Sequence, residues 1–145
     1  MGERKKGEKM EDNFKVLNLR DRLVLACDAN TKRINDFSAA EKLINELGDH
    51  VGWIKFNSAF VGGGKKILMR ARRQGAKIWL DLKWHDVPDT VVKYAYEAMT
   101  MIPFGVEMFN VHASGGSKMM GMVKGKIDEL FPIEASPAVR PLAIA

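Results

Sequence analysis

Short apolar runs alternate with segments of helical spacing along most of this 145-residue chain. "RLVLACD" (22–28), "VGWIKFN" (51–57), "AKIWLDL" (76–82) and "VEMFNVH" (106–112) have strand length and lie between polar or glycine-bearing segments. Helical patterns separate them. In "FSAAEKLINELG" (37–48), Leu43, Ile44 and Leu47 recur at helix spacing, Ser38 and Glu41 stand at capping-box spacing, and Gly48 marks the end. A second helix is predicted over 59–74, with glycines 62–64 near its start and Gly75 capping its end. "PDTVVKYAYEAM" (88–99) reads as a third helix with Pro88 in its first turn, and "SKMMGMVKGKIDEL" (117–130) as a fourth, weakened by Gly121 and Gly125. "RPLAIA" (140–145) opens a fifth strand.

Strand starts near residues 22, 51, 76, 106 and 141 make a βα repeat of 25 to 35 residues. Such a repeat implies parallel strands joined by right-handed crossovers. Two architectures fit: a doubly wound open sheet, or part of a (β/α)8 barrel. No dinucleotide fingerprint is present, and "GGGKK" (62–66) lacks the spacing of a phosphate loop.

Composition narrows the partners. A net charge of +5 does not make nucleic acid the default partner. The basic excess is local: Lys65, Lys66, Arg70, Arg72, Arg73 and Lys77 fall between residues 61 and 80 with no acid among them. A solvated helix face is the simpler account, and a patch that attracts anions the sharper one. Cys27 is the lone cysteine, so no intramolecular disulfide forms; within "LVLAC" it reads as a small hydrophobe. No apolar stretch has membrane-span length, and "MGERKKGEKMEDNFK" lacks the apolar region of a signal peptide. Cytoplasmic residence is the default expectation. Residues 1–18 are predicted to be a disordered charged tail, and 19–145 the folded part.

The candidate chemistry lies at strand ends. Asp28, Lys55, Asp81, Lys83 and His112 all end predicted strands, where both architectures place their sites. Residues two apart on a strand share a face, so Asp81 and Lys83 point together and Leu80 and Leu82 point away. Asp28 and Lys55 end the preceding strands and are positioned to join them. Burying such charges is costly unless they are paired. A fixed ammonium beside carboxylates can stabilise charge developing on a carbon and deliver a proton to it. The alternative is an ion-pair network closing the mouth of a scaffold.

"LDLKWHDVPDT" (80–90) resembles the D-x-K-x-x-D signature of the orotidine 5′-phosphate decarboxylase family, often D-L-K-F-H-D-I-P-N-T. "LACD", "WIKFN" and "FNVHASGGSKMM" (109–120) are similar to its other strand ends, and the likeness runs from Leu23 to Ala145. It implies a (β/α)8 TIM-barrel fold, with 19–145 a partial barrel decarboxylase domain, and metal- and cofactor-free decarboxylation of orotidylate to UMP. Lys83 would protonate C6, and Asp81 would lie near the departing carboxylate. Asp28 and Lys55 would bind the ribose hydroxyls, with Lys55 also in the catalytic network. Asp86 and Thr90 would reach into the opposite subunit of a homodimer, which makes Asp86 a catalytic candidate too. The whole run Asp81, Leu82, Lys83, Trp84, His85, Asp86, Val87, Pro88, Asp89 and Thr90 is a candidate substrate-binding stretch. His85 lies inside the signature without an implied chemical role. His112 is expected to be a hydrogen-bonded packing residue, and Ser114, Gly115 and Gly116 a turn into the fourth helix. Trp53, Trp79 and Trp84 are expected to pack between strands and helices. Asp89 stands where the family more often has Asn, adding a charge near Asp86.

A complete barrel takes about 250 residues. The family's phosphate grip is expected beyond Ala145. A sheet of this length is expected to be a fragment, or to associate through its open edges.

Overall fold

The computed structural model describes residues 19–28 and 37–132, together with the backbone of 142–144. The predicted tail over 1–18 lies outside the described residues. Five strands form one parallel sheet: β1 Val24–Cys27, β2 Trp53–Phe56, β3 Lys77–Trp84, β4 Val106–Val111 and β5 Leu142–Ile144. Four helices connect them: α1 Ser38–Leu47, α2 Ser58–Arg73, α3 Pro88–Thr100 and α4 Gly116–Leu130.

The strand order is β1-β2-β3-β4-β5. This order settles the choice that periodicity left open. A doubly wound sheet reverses direction at a switch point. Here each strand lies beside its successor, and right-handed crossovers then put every helix on one face. α1 packs beside α2 and α3 beside α4, as that requires. The arrangement is that of a (β/α)8 barrel wall.

The core lies between the sheet and this helical layer. Ile54, Phe56, Ile78, Leu80, Val106 and Phe109 come from the strands; Ile44, Leu68, Val91, Met119 and Val123 from the helices. Alternation leaves Trp53, Lys55, Trp79, Asp81, Lys83, Met108 and Asn110 on the opposite, inner face. Trp53 and Trp79 therefore do not pack against helices, contrary to expectation. Lys77 lies over the Trp53 ring and Lys55 over the Trp79 ring. Trp84 alone of the three sits on the helical side, against Tyr94 and Phe109.

Several local expectations change. Ser38 is the first residue of α1 rather than its cap; Phe37 holds the cap position, with no side-chain cap hydrogen bond. Gly48 ends α1 in an ordinary right-handed conformation, whereas Gly75 follows α2 at φ 76°, where glycine is favoured. α2 starts at Ser58, ahead of its glycines, and kinks at Gly64. Gly62 lets the Phe37 ring approach: a Cβ there would lie 2.1 Å from Phe37 Cζ. Lys65, Lys66, Arg72 and Arg73 are exposed, in keeping with a solvated face, while Arg70 meets Asn45 and Glu41 of α1.

The predicted first strand is shortened because Leu19–Arg22 winds into a 3-10 turn. Arg20 explains this. Its guanidinium donates to the carbonyls of Val51 (2.8 Å), Gln74 (2.9 Å) and Gly48 (3.3 Å). Gly48 and Gln74 are the C-caps of α1 and α2, so one cation serves the negative ends of two helices. Arg20→Ala is expected to cost about 2 kcal/mol in urea unfolding, because three carbonyls lose a charged donor. An unchanged unfolding midpoint would refute this.

Cys27 is fully buried and donates weakly to the Ala40 carbonyl. Burial, with the Asp28 charge beside it, pushes its thiol up to about 11, so the expected packing role fits an unreactive sulfur. Among the described residues, no helix is long and apolar enough to cross a membrane.

Candidate functional site

The ladder between β3 and β4 pairs Leu80 with Phe109 and resumes at Trp84 with Val111. Asp81, Leu82 and Lys83 therefore face the single residue Asn110 across the gap. Lys83 takes φ 49°, a left-handed conformation uncommon outside glycine. Two asparagine side chains bridge the irregularity. Asn110 accepts from the Lys83 backbone N–H at 2.7 Å, and Asn57 donates to the Asp81 carbonyl at 2.9 Å. Neither asparagine was singled out from sequence. The available signal was Asn110 two places after Met108 on an inner strand face, and Asn57 directly after "WIKF".

Within this frame three donors converge on one carboxylate. Lys83 Nζ lies 2.7 Å from Asp81 Oδ1, and Lys55 Nζ lies 2.8 Å from Oδ2. Asn110 Nδ2 also donates to Oδ1, the third bond to the carboxylate. Asp81 is 5% exposed, whereas the Lys83 side chain is 54% exposed. The carboxylate is thus an anchor, and the ammonium of Lys83 is the accessible group. Burial by itself would raise the Asp81 pKa. The hydrogen bonds from Lys55, Lys83 and Asn110, together with the Lys55 charge, outweigh it and hold the pKa down at about 2.

This depression links stability to acid. Asp81 is ionised in both folded and unfolded chains above about pH 4, where its contribution is complete, and that contribution is lost as pH falls through about 2. The difference amounts to about 2 kcal/mol. Urea unfolding between pH 5 and 2 is expected to show this loss in the native chain and not in Asp81→Asn. Parallel pH profiles would count against it.

The other predicted residues are more scattered. Asp28 follows β1, is exposed, and forms no ion pair with Lys55 among the described residues. The expected alternation of two aspartates with two lysines is therefore Lys55, Asp81 and Lys83. Leu82 and Trp84 pack against the core on the helical side, away from the Asp81 carboxylate. Asp86 is exposed and accepts from the Val87 backbone N–H at 2.6 Å. Val87 caps α3, Pro88 occupies its first turn, and Asp89 follows at the helix's positive end. Thr90 lies in that same first turn.

His85 stacks on His112, with ring centres 5.2 Å apart. His112 Nδ1 lies 2.6 Å from Ser114 Oγ, so His112 is hydrogen-bonded as expected but exposed. Ala113–Gly115 forms the predicted turn into α4. Among the described residues, no three of His, Cys, Asp or Glu converge as metal ligands.

Fold and site together define a (β/α)8-type chain with a lysine–carboxylate–lysine cluster at the carboxyl ends of β2 and β3, the face that carries chemistry in such barrels. The model of the "Orotidine 5'-phosphate decarboxylase / HUMPS family" matches residues 21–133. The chain belongs to that family. It is 33% identical over 126 residues to the orotidine 5'-phosphate decarboxylase of Geotalea daltonii, covering 86% of this chain and 49% of that protein. With the enzyme of the same name from Moorella thermoacetica it shares 30% over 129 residues, 88% of this chain and 46% of that one. The chain spans about half the length of the curated relatives it matches.

Solved structures agree on architecture. An uncharacterized conserved protein from Geobacillus kaustophilus shares 28% identity at a TM-score of 0.64, over 84% of this chain and 52% of its own. The orotidine 5'-monophosphate decarboxylase of Methanocaldococcus jannaschii, solved in complex with the inhibitor BMP, has a TM-score of 0.59 over 74% of this chain and 47% of its own. At 23% identity that likeness shows the fold.

Proposed function

We propose that the chain carries the lysine–aspartate part of an orotidine 5′-phosphate decarboxylase acting without metal or organic cofactor, with residues 19–145 as part of its barrel domain. The observation that carries this is the exposed Lys83 ammonium held 2.7 Å from a buried, ionised Asp81. The C6–carboxylate bond of orotidylate breaks, CO2 leaves, and the electron pair stays on C6. Lys83 then transfers a proton to C6, giving UMP. Asp81 would stand beside the departing carboxylate, and Lys55, with a side chain 21% exposed, remains reachable by ribose hydroxyls. Asp28 would join it there from the end of β1.

Asp86 and Thr90 belong to a neighbouring subunit's site in this reading. The exposed Asp86 carboxylate, outside its own chain's cluster, supports that assignment and with it a homodimer. Cytoplasmic residence and a place in pyrimidine nucleotide synthesis follow from the same reading.

Loss of orotidylate absorbance tests it, in EDTA, for the chain alone and mixed with the C-terminal half of the Geotalea daltonii relative. Metal-independent turnover is expected in the mixture, with severe loss of activity in the chain alone. EDTA-sensitive turnover of a ketose phosphate would instead favour a magnesium-dependent sugar-phosphate enzyme, and the absence of turnover in every mixture would leave the chain an inactive scaffold.

A further inference from the structure

Asn110 and Asp81 are the buried polar side chains among the described residues, at 8% and 5% exposure. A buried amide is costly unless both its ends are bonded. Asn110 uses both ends on the same three-residue stretch: Oδ1 takes the Lys83 backbone N–H, and Nδ2 gives a hydrogen to Asp81 Oδ1. The partners dictate the orientation, because a backbone N–H needs an acceptor and a carboxylate needs a donor.

These two bonds sit where the β3–β4 ladder is interrupted. The Asn110 carbonyl stands in for a missing backbone acceptor opposite Lys83. Lys83 can then hold φ 49° and still leave no orphaned N–H. With Asn57 bonded to the Asp81 carbonyl, the irregular stretch is secured from both neighbouring strands' ends. The Lys83 ammonium then turns back onto the same Asp81 oxygen that Asn110 holds.

We infer that Asn110 is a positioning residue: by bonding the Asp81 carboxylate with one end and the Lys83 backbone with the other, its amide sets where the Lys83 ammonium stands. Its effect on turnover rests on the decarboxylase reading above; its effect on Asp81 and Lys83 does not. No other natural side chain of this length supplies one donor and one acceptor at neutral pH. Leucine would orphan both partners. An ionised carboxylate would face Asp81 with like charge. A protonated carboxyl restores the pattern, with its O–H toward Asp81 and its C=O toward Lys83.

That last property gives a test that a merely structural residue would not pass. The native chain, Asn110→Ser and Asn110→Asp are compared by carboxyl-carbon NMR titration of Asp81, by the Lys83 amide resonance, and by orotidylate turnover in the mixtures described above. Serine cannot span both partners. Asn110→Ser is expected to raise the Asp81 midpoint, shift the Lys83 amide, and lower kcat by about 10²-fold with little change in KM. Asn110→Asp is expected to match it at neutral pH and to regain the native Lys83 resonance and turnover as pH falls and the new carboxyl is protonated. Asn110→Ser shows no such recovery.

The inference is overturned if Asn110→Ser leaves the Asp81 titration and Lys83 amide unchanged, or if Asn110→Asp responds to pH as the serine variant does. Loss of fold in both variants would also overturn it, by assigning Asn110 to stability alone. If the native mixtures turn over no orotidylate, the decarboxylase reading fails, while the NMR observations still decide the positioning geometry.

Discussion

Lys83→Ala is expected to lower orotidylate turnover by about 10³-fold or more, while the chain keeps its fold. The two halves of this result have separate causes. In the proposed mechanism turnover falls because the proton donor to C6 would be gone, with no neighbour to replace it: Lys55 is held on the other Asp81 oxygen, from the adjacent strand. The fold persists because the Lys83 side chain is half exposed and contributes no core packing. Its backbone N–H still bonds Asn110, and alanine tolerates the left-handed conformation about as well as lysine does. Asp81 retains Lys55 and Asn110 as donors. Near-native turnover in a folded Lys83→Ala chain, by absorbance assay beside far-ultraviolet dichroism, would remove Lys83 from its assigned role.

Much of this geometry was legible in the sequence, for a physical reason. Strand pattern has period two, which alone puts Asp81 and Lys83 on one face and Lys55 at the end of the neighbouring strand. The βα alternation likewise announced parallel strands. What periodicity could not supply was strand order, because both barrel and doubly wound sheets share the same local pattern. The β1-to-β5 sequence of neighbours resolved it.

The residues that escaped notice act through side-chain amides or across long separations. Asn110 and Asn57 look like ordinary polar residues near strand ends, yet Asn110 replaces a ladder bond at an irregularity that has no sequence signature, and Asn57 ties the Asp81 carbonyl just past the end of the β2–β3 ladder. Arg20 lies 54 residues from Gln74, and its helix-end contacts exist once both helices are in place. Asp28 stands apart from the ion pairs of the cluster. Its position at a strand end suggested membership of the cluster, but charge at the rim does not ensure contact. Leu82 and Trp84 were drawn into the candidate stretch by motif continuity, although alternation already pointed them toward the helices.

Asp81→Ala is expected to be the more damaging change, costing about 3 kcal/mol of stability as well as turnover. Removing the carboxylate leaves two ammonium groups facing one another, with the Asn110 amide donor unpaired in a buried position. The figure lies at the low end for a broken buried pair because Lys83 is half exposed and water screens it. A second variant separates stability from chemistry. Replacing Asp81, Lys55 and Lys83 together by leucine or methionine removes the unpaired charges, and such apolar substitution is often neutral or stabilising. Urea unfolding is therefore expected to recover most of the loss in the triple variant, while orotidylate turnover stays abolished. An Asp81→Ala chain that unfolds at the native midpoint would show that the cluster carries no net strain when broken. A triple variant less stable than Asp81→Ala would show that the charges hold the strand ends together, and that the cluster is scaffold as much as site.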